Sequence, residues 1–277
     1  MTILLEPFEF EFFRNGLIVA TVAGGLCGFV GVFVVLRGMS YIGHGLSHSI
    51  FGGAVAGYAL SIDFYVGAGV WGFLSALLIG HVARRRSIGA DAAIGVITTA
   101  SFAAGLAVIS RHHSFTQNFE AALFGNVLGV TSTDIAVVTA VTALAGVVVL
   151  FSYRRLLFTT FDAAVADVFG VRSSVADALL SLMLAAAIIA TIRILGVTLV
   201  AAALVIPPVI ARMLTTSFSR MLGISAAIGA VTGFVGMNLS YHLDVSSGAT
   251  IVLVAAAAFG AVFAATGSGS RRLRCSG

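Results

Sequence analysis

His44 and His48 lie four residues apart within a run, Met39 to Leu60, that has the hydrophobicity of a membrane span. Ionisable side chains at membrane depth are costly and usually mark a pathway or a site. On a helix, this spacing puts both imidazoles on one face, one turn apart, where they can bind one metal ion or pass it along. The pair is therefore a candidate metal site. The alternative is that both histidines pack between helices, bonded to neighbouring carbonyls.

A second pair of candidate ligands, His242 and Asp244, follows the eighth apolar run of the chain. One imidazole and one carboxylate suit a divalent cation that enters from outside the membrane. The alternative is a solvated loop in which Asp244 caps the next helix near Ser246 and Ser247.

The composition identifies the class of protein. The 277 residues are 59% hydrophobic and 9% charged, with a mean hydropathy of +1.10, which is too apolar for a soluble domain. Apolar runs recur throughout, so we predict one all-α, polytopic membrane domain over residues 1–277. All fifteen basic residues are arginine, so the chain lacks the lysine of a Walker A loop. The arginines cluster between apolar runs, which is a topology signal and does not indicate nucleic-acid binding.

Nine segments of about twenty residues are candidates for crossing the bilayer. The second run, rich in glycine and polar residues, and the tight junction at Arg193 could each be a broken or re-entrant helix, so the prediction is eight or nine helices. With nine crossings and an outer N-terminus, only Arg14, Arg111 and Arg193 lie outside, and the C-terminus is cytoplasmic. The segments lie near 15–36, 40–60, 64–83, 92–109, 135–152, 174–192, 194–213, 221–240 and 249–266.

Counting 1.5 Å per residue from Arg37 places His44 about 10 Å and His48 about 16 Å deep. The hydrocarbon core is about 30 Å thick, so both lie near its middle, where transport sites commonly occur.

Glycine and proline predict how the helices pack. Gly24, Gly28 and Gly31, and likewise Gly52, Gly53 and Gly57, have spacings typical of close helix contacts. Pro207 and Pro208 remove two backbone donors from the seventh segment and predict a kink or break. Carbonyls freed there could line and gate an ion path, or the prolines could only shape packing.

The run RGMSYIGHGLSHSIFGG (37–53) resembles a signature of permease subunits in the manganese, zinc and iron family of ATP-binding-cassette (ABC) importers, R-x-M-S-x-x-G-D-A-L-S-H-A-x-L-P-G. Further blocks look like family blocks in family order. They are DAAIGVITTASFAAG (91–105), NFEAALFGNVLGVTSTD (118–134), FDAAVADVFGV (161–171), ILGVTLVAAALVIPPVIARMLT (194–215) and SYHLDVSSGATIVL (240–253).

The resemblance implies a type II ABC importer-like fold in the cell membrane of a prokaryote, with no covalent cofactor. The transported ion is manganese, zinc or iron, and ATP binds only to a partner. The implied partners are a cytoplasmic ATPase dimer, a second permease chain that we expect to be identical, and an extracellular metal-binding protein.

Two blocks carry the functional detail of the resemblance. His44 stands where many relatives carry aspartate, whereas His48 matches, and a pair of imidazoles should favour zinc or iron over manganese. Segment 161–171 looks like the coupling helix that docks on the ATPase, although Ala163-Ala164 replaces the usual Pro-Glu; the alternative is a helix lying on the membrane surface. Its expected coupling residues are Phe161, Asp162, Val165 and Gly170.

Two other functions fit the sequence less well. An ion-coupled secondary carrier predicts internal repeats and intramembrane carboxylates, and the sequence offers neither convincingly. A zinc protease needs His-Glu-x-x-His, but Gly45 follows His44, so the general base is missing. The sequence therefore predicts a transport subunit and not an enzyme.

Overall fold

The structure is a computed structural model that describes residues 6–83, 90–111, 124–125, 129–161, 166 and 172–272. Within these ranges the chain is all-helical. After a short 3-10 helix, Glu6–Glu9, come α1 (Glu11–Leu36), α2 (Ser40–Ala59), α3 (Phe64–Ala83), α4 (Ala90–Arg111), α5 (Ser132–Phe161), α6 (Ser173–Leu195), α7 (Val200–Leu214), α8 (Phe218–Leu243) and α9 (Ser247–Arg272).

Each of the nine predicted segments coincides with one of these helices, so the all-α prediction is confirmed. Six of them, α1, α3, α5, α6, α8 and α9, are long and apolar enough to cross a bilayer. α7 has only 15 residues, about 22 Å, which is shorter than a hydrocarbon core of about 30 Å. The number of complete crossings stays a prediction.

The junction between α6 and α7 differs from its predicted position. α6 includes Arg193 and continues to Leu195, and the turn follows at Gly196, whose φ is 80°. Glycine adopts this left-handed conformation without steric cost, so the helix ends there and not at the arginine.

α1 runs through the centre of the bundle, antiparallel to α8. A Cβ on Gly24 would lie 2.1 Å from the Gly229 carbonyl oxygen, and one on Gly28 would lie 2.3 Å from that of Ser225. The Ser225 hydroxyl also donates to the Gly28 carbonyl at 2.6 Å. In a bilayer, helices associate through such close approach of small residues. The predicted glycine contacts are therefore present in α1.

α2 packs between α3 and α4 in the same way. A Cβ on Gly53 would lie 2.2 Å from Cβ of Trp71 in α3, and one on Gly52 would lie 2.6 Å from the Ser101 carbonyl oxygen in α4. Both distances are far below van der Waals contact, so only glycine allows this spacing of the helices.

α7 continues without interruption through Pro207 and Pro208, both buried. The expected break is therefore absent, and the predicted kink stays untested. Pro208 has no N–H for the Leu204 carbonyl, and that carbonyl faces α1, where a Cβ on Gly31 would lie only 1.9 Å from its oxygen. The absence of a side chain on Gly31 therefore leaves room for this carbonyl against α1.

The arginines with described side chains segregate to opposite ends of the bundle. Six lie at the end where α1 finishes, which we call the Arg37 end, and three at the opposite Arg193 end, where α1 begins. The Arg37 end carries Arg37, Arg154, Arg155, Arg172, Arg212 and Arg220, and the Arg193 end carries Arg14, Arg111 and Arg193.

Candidate metal site

The two histidine rings are adjacent on α2. Their centroids lie 4.6 Å apart at an interplanar angle of 74°, and both side chains are half-buried. Two Zn–N bonds of 2.0–2.1 Å at tetrahedral geometry separate the nitrogens by about 3.3 Å. Rings this close can each turn a nitrogen toward one ion through small rotations of their side chains.

His44 lies four residues and His48 eight residues into α2, which begins at Ser40. Residues 37–39 form a turn, so the helical rise begins only there, and the two rings lie about 6 Å and 12 Å along the helix. They are therefore closer to the Arg37 end than the count from Arg37 predicted.

Two buried serines of α2 fix the direction in which the histidines point. The Ser47 hydroxyl lies 2.8 Å from the His44 carbonyl oxygen and 2.8 Å from the Val197 carbonyl oxygen. The Ser49 hydroxyl lies 2.6 Å from the Ser75 hydroxyl in α3. These contacts join α2 to the α6–α7 turn and to α3, so they set the rotation of α2 about its axis. Sequence reasoning did not assign this role to either serine.

Aromatic packing supports one side of the pair. The His48 ring meets Phe102 of α4 edge-on, with 5.3 Å between centroids, and Phe102 stacks on Phe51 at 6.0 Å. On the other side, Tyr41 is exposed, and its ring lies 5.9 Å from that of His44. The face formed by Tyr41, His44 and His48 is thus incompletely covered by this chain.

Two ligands are fewer than a transition metal takes. The described residues contain no group of three or more His, Cys, Asp or Glu side chains able to hold a metal ion. Any further ligands at the histidine pair must come from water, carbonyls or another chain.

His242 and Asp244 lie elsewhere in the molecule. Both are exposed at the Arg193 end of α8, which packs mainly on α1, α7 and α9. Asp244 terminates α8 in the left-handed conformation (φ 53°), and its N–H donates to the Ser240 carbonyl. Among the described residues, its carboxylate makes no hydrogen bond to the start of α9. The structure therefore does not bring this pair to His44 and His48.

A buried carboxylate ties three helices together at the Arg193 end. Asp134, 1% exposed, accepts hydrogen bonds from Arg193 Nη1 at 2.7 Å, from Thr131 N at 2.8 Å and from the Tyr65 hydroxyl. The Arg193 guanidinium also lies over the Phe64 ring, 5.4 Å from its centroid. The cluster joins α3, α5 and α6. From sequence, Arg193 marked the topology and a tight junction between two apolar runs, and its pairing with Asp134 was not predicted.

A second cluster closes the Arg37 end. Arg37 pairs through Nη1 with Asp177 Oδ1 at 2.6 Å, donates through Nη2 to the Thr159 hydroxyl at 2.9 Å, and donates through Nε to the Thr160 hydroxyl at 3.3 Å. It therefore connects the α1–α2 turn to the end of α5 and the start of α6, which flank the predicted coupling segment.

Of the predicted coupling residues, only Phe161 lies within the described part of the chain. It ends α5, is 64% exposed and places its ring centroid 6.2 Å from that of Phe218. Asp162, Val165 and Gly170 lie outside the described residues.

Comparisons with known proteins cover nearly the whole chain. Residues 9–266 match the model of the ABC 3 transport family. The manganese transport system membrane protein MntC of Halalkalibacterium halodurans is 34% identical over 93% of this chain and 88% of its own length. A "Probable iron transport system membrane protein" of Haemophilus influenzae is 33% identical over 92% of this chain and 94% of its own length.

A solved structure is similar over the same extent. PsaBC from Streptococcus pneumoniae, determined in complex with Fab, superimposes with a TM-score of 0.85 at 32% identity, covering 95% of each chain. The helix arrangement described above is thus shared with a solved structure.

Proposed function

This chain belongs to the ABC 3 transport family, and we propose that it is the membrane-spanning permease subunit of an ATP-driven importer for divalent transition metal ions. The observation that carries the proposal is the likeness over 95% of the chain to PsaBC. Relatives named as manganese and iron transport proteins support metal as the cargo. The family consists of multi-pass membrane proteins. The alternative function, an ion-coupled secondary carrier, is not favoured by these relatives.

The ion passes a transit site formed by His44 and His48. Their 4.6 Å separation and half-burial on α2 support this role. Two imidazoles are softer and less charged than an imidazole with a carboxylate, so the site should accept zinc or iron more readily than manganese.

A second copy of the chain completes the site. The incompletely covered face of Tyr41, His44 and His48 would place imidazoles against lipid in a single chain, which is costly. In a twofold dimer the same face of both copies meets across the axis, so two chains together supply four imidazoles. A homodimer around a shared ion path would therefore supply enough ligands for a transition metal. It would also keep the imidazoles away from lipid.

The Arg37 end faces the cytoplasm, and so does the C-terminus, because arginine accumulates on the cytoplasmic side of membrane proteins. The ATPase dimer docks there on segment 161–171. The extracellular binding protein delivers the ion at the Arg193 end, near His242 and Asp244. The permease itself holds no ATP and performs no chemistry.

Nucleotide-driven movement of the coupling segment reaches the transit site through Arg37. Arg37 is bonded to both helices that flank the segment. It directly follows α1, and only two residues separate it from the start of α2 at Ser40. A displacement of α5 or α6 is therefore passed to the helix that carries both histidines.

Metal uptake into vesicles carrying the complete complex tests the transit site. We expect His44→Ala and His48→Ala each to lower uptake of zinc and iron about tenfold or more, since even indirect contacts to a metal commonly count for 10–100-fold. Asp244→Ala should raise the external metal concentration needed for half-maximal uptake. His81→Ala, an exposed histidine of α3, is the matched control and should leave uptake unchanged.

Equal uptake by the two single histidine variants and the wild type, at equal expression, would contradict the site. The same assay without ATP distinguishes an ATP-driven importer from a secondary carrier, because only the carrier would continue to transport metal.

A further inference from the structure

A deep apolar groove opens on the side of the bundle formed by α3, α5 and α6. It has a volume of about 430 Å³ and shares no residue with the candidate metal site. Its walls are almost wholly hydrocarbon. They include Phe73 of α3, Leu144 and Val148 of α5, and Leu179, Leu182 and Ala186 of α6.

Two arginines lie at the same end of this groove. Arg155 is seven residues beyond Val148 on α5, and Arg172, the N-cap residue of α6, is seven residues before Leu179. Seven residues are two helical turns, so Arg155 lies on the groove-facing side of α5, about 10 Å beyond the apolar walls. Arg172 immediately precedes α6 at the same end of the groove. Both arginines are exposed. Arg154 lies about 130° away from the groove on α5 at 100° per residue.

The dimensions suit a lipid that enters from one leaflet. From Arg155 to Val141, and from Arg172 to Ala186, is 14 residues, or about 21 Å. Half of the hydrocarbon core is about 15 Å thick. A phosphate held by the arginines therefore places its acyl chain along the full length of the groove.

A second copy of the chain suits this surface less well. A twofold interface must be self-complementary, and two concave apolar grooves facing each other are not. Basic pockets between membrane helices, in contrast, commonly bind anionic lipid headgroups.

We infer that the groove between α3, α5 and α6 is a binding site for one anionic phospholipid, whose phosphate is held by Arg155 and Arg172 and whose acyl chain fills the groove. This inference does not depend on the proposed transport function or on which metal is carried.

The test is native mass spectrometry of the full-length permease in detergent, titrated with dioleoyl phosphatidylglycerol or dioleoyl phosphatidylcholine. We expect the wild type to bind one phosphatidylglycerol preferentially, and each of Arg155→Gln and Arg172→Gln to weaken that binding about fivefold. Arg154→Gln, the matched control on the same helix, should bind as the wild type does.

Two further arms identify the ligand. Inorganic phosphate should not compete, and dihexanoyl phosphatidylglycerol should bind more weakly, because its chains end before the groove. Ala186→Phe, which fills the groove without changing the charge, should reduce binding of the long-chain lipid, with thermal unfolding confirming that the variant is folded.

Three results would overturn the inference. One is an unchanged preference in the Arg155→Gln, Arg172→Gln double variant. Another is an equal loss of phosphatidylglycerol binding in Arg154→Gln, which would indicate that the lipid responds to the overall positive charge of this end and not to a specific site. The third is a shift from dimer to monomer in Ala186→Phe with lipid preference intact, which would assign the groove to a second copy of the chain.

Discussion

Ser47 shows how much a single hydroxyl contributes to the candidate site. It is fully buried and joins α2 to the Val197 carbonyl in the α6–α7 turn. Because Ser47 anchors one side of α2, rotation of this helix would change the direction in which both histidine rings point. The candidate ligands are therefore oriented by a residue outside the pair.

Replacing Ser47 with Ala should weaken transport through orientation. The variant leaves the Val197 carbonyl without its donor, at a cost of about 1–3 kcal/mol of stability. We expect a higher metal concentration for half-maximal uptake than in Ser110→Ala, where the lost hydroxyl is exposed on α4. An unchanged concentration dependence would show that Ser47 does not position the pair.

Close helix contacts at α1 determine the geometry at the scale of elements. Gly31 leaves room for the Leu204 carbonyl, which lacks its helical donor because Pro208 has no N–H. Gly24 and Gly28 leave room for the backbone of α8. α1 thereby holds α7 and α8 at distances that no side chain would allow.

Gly31→Ala should lower stability by about 1–3 kcal/mol, because the new Cβ would overlap the Leu204 carbonyl oxygen and force the helices apart. Thermal unfolding in detergent measures this. Gly69→Ala in α3 and Gly146→Ala in α5 are the controls, since a Cβ at either position meets no atom within 4 Å. A similar loss in all three variants would indicate a general effect of glycine replacement.

Arg37 connects helices and should matter for coupling more than for binding. In Arg37→Gln, the links to Asp177, Thr159 and Thr160 are weakened or lost, so the movement of α5 and α6 no longer reaches the α1–α2 turn. We expect the complete complex to continue hydrolysing ATP while metal uptake falls several-fold. Arg154→Gln removes the same charge without these contacts and should keep both activities.

Two polar clusters at opposite ends hold the whole bundle together. Arg37 and Asp177 join the helices at one end, and Asp134 and Arg193 join them at the other. Between them lie mostly apolar and small side chains. Charged groups are therefore concentrated at the ends, where water and headgroups can solvate them.

Arg193→Gln should destabilise the molecule by about 2 kcal/mol, because it leaves the buried Asp134 carboxylate without its countercharge. The double variant Asp134→Asn, Arg193→Gln should lose less stability than the sum of the losses in the two single variants. Thermal unfolding of all four proteins gives this coupling energy, and strict additivity would show that the ion pair contributes nothing.

The direction of the chain in the membrane can be tested with single-cysteine variants in a background lacking Cys27 and Cys275. Ser61→Cys, in the α2–α3 turn, should react with an impermeant maleimide from outside the cell. Ser217→Cys, in the α7–α8 turn, should react only after permeabilisation. The opposite pattern would reverse the proposed orientation.

The sequence by itself determined the class of the molecule and the positions of its helices, because hydrophobic runs and their breaks are properties of neighbouring residues. It also placed His44 and His48 on one face, since the i, i+4 spacing is fixed by the helix. The separation of the arginines into two groups could also be predicted, because it follows from their positions between the hydrophobic runs.

The tertiary structure alone decided which distant residues meet. Ser47 and Val197 are 150 positions apart, and Arg37 and Asp177 are 140 apart, so no local pattern could pair them. Pro207 and Pro208 predicted a kink or a break, yet α7 continues through both, and α1 packs Gly31 against the Leu204 carbonyl that Pro208 leaves without its helical donor. Contacts of this kind depend on how the helices are paired and rotated, and those choices are made by packing over the whole bundle.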